Sequence, residues 1–270
     1  NHDRLEAHGS TYTATEQPDF LTCDDTWFRP VDIQLGPDGA LYIADFYNRI
    51  IGHNVVPLSH AQRDHERGRI WRVVFKGNED NLHPTADLTA VSLEKLIGFL
   101  GSANLLVRTQ ATHELVQRIG TSAIEPVKRL IFGDSNAWQR AHGLWVLHRL
   151  DALDDGVMLR LSQDSAREVR LHLAKAVGQR RDWRGARSVA RRSMLDFLSD
   201  PDAFVRRAAA EALGQHPQKM NIGPLLDLWS STPLHDTHLI HVVRMALRDN
   251  FQAMGDIEQV SEDYARQVDT

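Results

Sequence analysis

A repeat constrains this chain more than any other feature. Five segments align on one position, occupied by Arg108, Arg140, Arg170, Arg206 and Ile240, at spacings of 32, 30, 36 and 34 residues. Three residues further on stand Ala111, Gly143, Leu173, Ala209 and Val243, and seven further on Leu115, Leu147, Val177, Leu213 and Leu247. Apolar residues at these offsets share one face of a helix. Six residues before the aligned position stand Ser102, Asp134, Asp164, Asp200 and Leu234, the first four of which suit a helix N-cap or a turn. A second amphipathic run precedes each segment, for example Ile124/Val127/Leu130/Ile131 or Met194/Leu195/Leu198. The unit is therefore helix, short polar turn, helix. One such pair cannot bury its apolar faces alone, so a period of this length marks a stacked solenoid. Residues 88–251 are expected to form five helix pairs with those ten i+3 and i+7 positions buried. The acidic stretch 255–270 is read as a cap or the start of a further pair.

The N-terminal part has a different period. Val31-Asp32-Ile33-Gln34-Leu35 alternates apolar and polar, the mark of a half-buried strand. Gly36-Pro37-Asp38-Gly39 is a tight turn, and Ala40–Asp45 resumes as a strand, giving a hairpin. Residues 70–75 read as another strand, and residues 9–14 as a further one. Between the hairpin and residue 70 lies a long loop, 46–69. The breaker-rich segment from Gly77 to Pro84 opens a linker. The domain division is thus 1–76, a linker at 77–87, and a helical array at 88–270.

Charge follows the same split. Residues 1–87 carry 8 Lys+Arg against 14 Asp+Glu, whereas the rest carry 23 against 22. A chain with a net charge of −5 is no evident polyanion binder. Its one cysteine, Cys23, excludes an internal disulfide and covalent haem attachment through a cysteine pair. No apolar run reaches the roughly 18 residues of a membrane span. The chain opens Asn1-His2-Asp3 without Met, and is expected to be an internal piece of a longer protein.

Two resemblances follow from particular residues. The phrase Asp200-Pro201-Asp202-Ala203-Phe204-Val205-Arg206-Arg207-Ala208-Ala209-Ala210-Glu211-Ala212-Leu213-Gly214 resembles a HEAT repeat. The fold class this implies is mainly α, a HEAT-type α-α superhelix (armadillo-like, an α-solenoid) of about five pairs. A small N-terminal antiparallel β segment, similar to a propeller blade, precedes it. The ordered set 27–32, 36–45, 47–53 and 63–73 resembles the large membrane-bound dehydrogenases of planctomycetes and related bacteria. Those proteins join a β-propeller, similar to quinone-dependent sugar dehydrogenases, to HEAT repeats, and many end in a cytochrome c domain. The resemblance implies a parent that is an oxidoreductase using pyrroloquinoline quinone with calcium, with haem c in a separate domain. It also implies an exported, periplasmic or membrane-associated setting. A propeller needs several blades, and about one is present, so no cofactor is expected in this chain itself.

Candidate sites carry two readings each. In the long loop Arg63, Asp64, His65 and Arg67 are the catalytic candidates: Arg63 and Arg67 suit an anionic cofactor or substrate, and His65 a base. The bland reading is that these residues tie the loop down. Asp38 is read as turn chemistry rather than a calcium ligand. His235, His238 and His241 lack the glutamate of a zinc hydrolase motif and are read as surface or packing residues. Arg180, Arg181, Arg184, Arg187, Arg191 and Arg192 form a basic stretch that suits either a nucleic-acid backbone or a solvated face. Arg108, Arg140, Arg170 and Arg206, with Asp134, Asp164 and Asp200, are read as a structural ladder, and no metal site is expected. The leading functional expectation is a non-catalytic scaffold that presents the concave HEAT face to a protein partner or neighbouring domain. The rivals are part of a sugar or alcohol dehydrogenase active site using loop 46–69, and a nucleic-acid-binding solenoid.

Overall fold

The computed structural model describes residues 2–52, 54–77, 87–181, 183 and 188–254. The strands are β1 (His2–His8), β2 (Thr11–Gln17), β3 (Pro30–Leu35), β4 (Leu41–Asp45) and β5 (Arg69–Val73). The helices are α1 (Leu93–Phe99), α2 (Leu105–Glu114), α3 (Ile124–Phe132), α4 (Ala137–Arg149), α5 (Asp155–Ser162), α6 (Arg167–Gly178), α7 (Val189–Phe197), α8 (Ala203–Gln215), α9 (Ile222–Ser231) and α10 (Thr237–Met254). These elements fall into two compact units. One comprises Glu16–Glu114, with the first residues of β1; the other comprises Arg4–Thr15 together with everything from Leu115 onward.

In the first unit β3, β4 and β5 form an antiparallel meander with β4 central. Ile33 lies opposite Ile43, and Ile43 opposite Trp71. The expected turn forms: the Gly39 N–H donates to the Gly36 carbonyl at 3.0 Å, and Gly39 takes φ +82°, which glycine accepts without a Cβ penalty. The reading of residues 31–35 as half-buried needs correction. Val31 is 66% and Ile33 57% exposed, while Ile43 on the central strand is buried. Alternation specifies which side chains share a face, but burial needs a second layer, which the described residues do not place over β3. Helix pair α1/α2 belongs to this unit. Asn104, before α2, accepts from the Leu106 N–H and donates to the carbonyls of Gly36 and Pro37.

The second unit holds pairs α3/α4, α5/α6, α7/α8 and α9/α10. The second helices pack in series, α4 on α6, α6 on α8, and α8 on α10. Across the two units all ten aligned apolar positions, from Ala111 to Leu247, are buried. The small residues have a measurable role: a Cβ on Gly214 would lie 3.0 Å from the Ala246 Cα, and one on Gly143 3.2 Å from a Val127 methyl. Helix starts are capped by side chains. Asn136 and Gln139 form a reciprocal capping box, and Asp154, Ser188 and Asp202 each accept a first-turn N–H. The cap of α8 is Asp202, so Pro201 precedes the helix rather than occupying its first turn.

The strand expected at 9–14 is real but shifted, and it has a partner, β1, whose polar sequence carries no alternation signal. The tip of this hairpin packs against the helices within the second unit. The Ser10 N–H and Oγ–H donate to the Asp236 carboxylate at 2.8 and 2.7 Å, and the Tyr12 ring meets Phe204 at 5.0 Å between centroids. Gly9, at φ +59°, lies so close to Asp236 that a Cβ there would overlap its carboxylate. No described helix is long and apolar enough to cross a membrane. The tail 255–270 and most of the linker lie outside the described residues.

Candidate functional site

The loop 46–69 is organised from Asp45, the last residue of β4. Its buried carboxylate accepts from the Arg29 and Tyr47 N–H groups and from the Trp71 indole N–H. Burial pushes its pKa up, but these bonds outweigh burial and hold it below the usual carboxylate value. Further along, Arg63 donates to the carbonyls of Ile50, Gly52, Val56 and Pro57. Asp64 accepts from the Glu66 and Arg67 N–H groups and pairs with the Arg67 guanidinium at 3.2 Å, while Asn48 donates to the Asp64 carbonyl. The Arg69 guanidinium lies 3.4 Å from the centre of the Tyr47 ring. His65 is exposed, and His53 lies outside the described residues. Arg63 and Asp64 are thus each tied to the backbone of the loop, and Arg67 pairs with Asp64. With its donors turned onto four carbonyls, Arg63 does not fit an anionic quinone. Asp38 likewise binds within the sheet, to Arg72 at 2.7 Å and to the Tyr42 hydroxyl.

The repeat turns have a regular geometry. Arg140 donates through Nε and Nη2 to the two oxygens of Asp164 at 2.6 and 2.9 Å. Arg170 makes the same fork with Asp200 at 2.7 and 3.0 Å. Each arginine therefore reaches forward to the next repeat, while its Nη1 binds carbonyls of its own turn: Ser135 for Arg140, and Asp164 and Ser165 for Arg170. The carboxylates have a second task, since Asp164 accepts from the Ala166 N–H and Asp200 from the Asp202 N–H. Burial pushes Asp164 up, yet the Arg140 fork and the Ala166 N–H together hold it below the usual carboxylate value. Asp134 is exposed. Arg108 and Arg206 also bind carbonyls of their own turns, at Ser102/Ala103 and Asp200/Pro201 respectively.

Several organising contacts escaped the sequence reading. Arg191 is buried and donates to the Asn221 side chain at 2.8 Å and to the His216 carbonyl. Asn221 and Asn250 bind one another at 2.9 Å and close the Leu213 carbonyl from two sides. The Trp145 indole N–H donates to His172 Nδ1 at 3.1 Å, so that ring nitrogen carries no proton. Burial lowers the pKa of both His148 and His172. A single asparagine in a helical pattern gives no sequence sign of such a partner.

Among the described residues, the arginines of the basic stretch do not share one cationic face. Arg191 is buried, Arg180 donates to the Leu153 carbonyl at 2.9 Å, and Arg184 and Arg187 lie outside the described residues. Trp183 is buried too and stacks on His216 at 4.2 Å. An open cavity of about 1180 Å³ lies beside Arg180, lined by Lys128, His148, Asp151, Asp154 and Arg181 among others. Its charges are of both signs, and Lys128 is already paired with Asp154 at 2.7 Å. Of the three spaced histidines, His235 meets the His8 ring at 4.9 Å, and His238 and His241 are exposed. Among the described residues no three His, Cys, Asp or Glu side chains converge as a metal site would need.

No curated protein matches the chain. Residues 1–77 match a family described as a domain of unknown function, DUF7133. Residues 155–237, which contain the Arg170–Asp200 fork, match the family described as HEAT repeats, and this stretch of the chain is similar to the helical repeat modules that commonly mediate protein interactions.

Proposed function

We propose that the helical array is a non-catalytic scaffold, presenting its repeat surface to a protein partner or neighbouring domain within a larger dehydrogenase-like protein of the propeller type. One observation carries the non-catalytic reading. Arg63 in loop 46–69 and Arg140 and Arg170 in the repeat turns are turned onto the chain's own carbonyls and carboxylates. In this reading residues 1–76 are the end of the propeller, 77–87 the linker and 88–270 the array, and quinone, calcium and haem belong to other parts of the parent. The parent's class rests on the sequence resemblance of residues 27–73. The test is direct. The purified chain receives pyrroloquinoline quinone, calcium, a panel of aldoses and alcohols, and an artificial electron acceptor. The expected outcome is no dye reduction above a heat-treated control. Quinone-dependent turnover that is lost in Arg63→Ala and His65→Ala would overturn the proposal in favour of a catalytic loop.

A further inference from the structure

One rung of the ladder, that of Arg206, lacks an aspartate at the position that supplies the carboxylate in the next repeat. Arg140 and Arg170 each use Nη1 on their own turn and offer Nε with Nη2 as a fork to the next repeat's aspartate. Arg206 repeats the first half of this arrangement: its Nη1 binds the Asp200 carbonyl at 2.6 Å and the Pro201 carbonyl at 3.2 Å. The position that supplies the carboxylate, Asp164 for Arg140 and Asp200 for Arg170, is Leu234 in the last repeat. Leu234 is 89% exposed, so it does not fill the place by packing. The nearest acid in that turn, Asp236, is committed elsewhere. It accepts from the Ser10 N–H and hydroxyl and from the Leu239 N–H at the start of α10. Among the described residues no carboxylate pairs with Arg206, which is itself half-buried and holds only carbonyls of its own turn.

We infer that Arg206 presents an unfilled guanidinium fork, held by its own turn, that takes an aspartate or glutamate side chain from an acidic segment of a protein partner. The two preceding rungs give the chemistry, since the same atoms in the same turn already hold carboxylates. An arginine fixed by its own turn loses little side-chain freedom on binding, and a planar fork selects a carboxylate by two parallel hydrogen bonds. This names the partner chemistry of the scaffold reading and rests on it.

The test has two arms, and the first needs no partner. Leu234→Asp should complete the rung and raise the melting temperature by about 2–4 °C, the size of effect that a modest stabilisation has in a domain of this length. The gain should vanish in Arg206→Ala/Leu234→Asp. A Leu234→Asp variant no more stable than Leu234→Asn would show that the fork is not vacant, and would overturn the inference. In the second arm the chain is labelled with ¹⁵N at arginine Nε and titrated with the peptide acetyl-Ala-Glu-Leu-Glu-Ala-amide. The Arg206 Nε–H signal should move saturably, those of Arg140 and Arg170 should stay, and the glutamine version of the peptide should have no effect. Leu234→Asp should abolish the shift. An unmoved Arg206 signal, or an equal response to the glutamine peptide, would overturn carboxylate capture. Quinone-dependent catalysis in the earlier assay would instead overturn the scaffold reading and leave the first arm intact.

Discussion

The helices of the second unit and the three-stranded sheet of the first use similar apolar residues to different effect. Leu147, Leu173, Val177 and Leu213 are wholly buried, whereas Val31, Ile33 and Ile70 are more than half exposed. Both sets were visible as periodic patterns. The difference lies in what supplies the second layer. In a repeat array the layer comes from the next copy of the same unit, so the pattern that makes the helix amphipathic also specifies what covers it. A strand's alternation says only which face is apolar, and its cover must come from elsewhere in the chain.

The largest expected effect separates these two regions. Leu213→Ala removes a side chain with no exposure and should cost about 2–5 kcal/mol in denaturant unfolding. Ile33→Ala on β3, 57% exposed, should cost well under about 1 kcal/mol, since little apolar surface is withdrawn from water there. Comparable losses would mean that β3 is covered in solution.

The same contrast appears in how much the sequence disclosed. The repeat register and the buried positions were legible because helix pairs are local and recur. The arginines were legible as a ladder, but its direction was not: Arg140 could have bound Asp134, six residues before it, or Asp164, which lies in the following repeat. That choice depends on side-chain reach across a packed helix interface. The hairpin tip on Asp236 and the Arg191–Asn221–Asn250 junction were invisible, because each joins isolated polar residues distant in sequence. In the loop, Arg63 was legible as important and its partners were not, since carbonyl acceptors leave no mark in side-chain identity.

A moderate effect sharpens the comparison through pH. Asp164 has a folded pKa below its unfolded value of about 3.9. Its contribution is therefore present above the unfolded pKa and lost as pH falls through the folded one. The histidine His172 is held neutral by burial, with a folded pKa below its unfolded value of about 6.5, so stability also declines as pH drops below that value. Asp164→Asn should lower stability at neutral pH and flatten the acid limb of a melting curve below about pH 4, leaving the limb near pH 6 unchanged. An acid limb as steep as in the unmodified chain would assign the effect to other carboxylates. The smallest effect belongs to the loop: Arg67→Ala deletes an ion pair whose arginine is 70% exposed and should change stability by less than about 1 kcal/mol.

The central claim, that Arg140 and Arg170 are committed to holding adjacent repeats together, is tested most directly by a double-mutant cycle on Arg170 and Asp200. Equilibrium unfolding of the unmodified chain, Arg170→Ala, Asp200→Ala and the double variant gives their coupling energy. The bidentate, largely buried geometry predicts a favourable coupling above about 1 kcal/mol, more than exposed pairs provide. A coupling within about 0.3 kcal/mol of zero would contradict it, and would return these arginines to the pool of side chains available to a ligand.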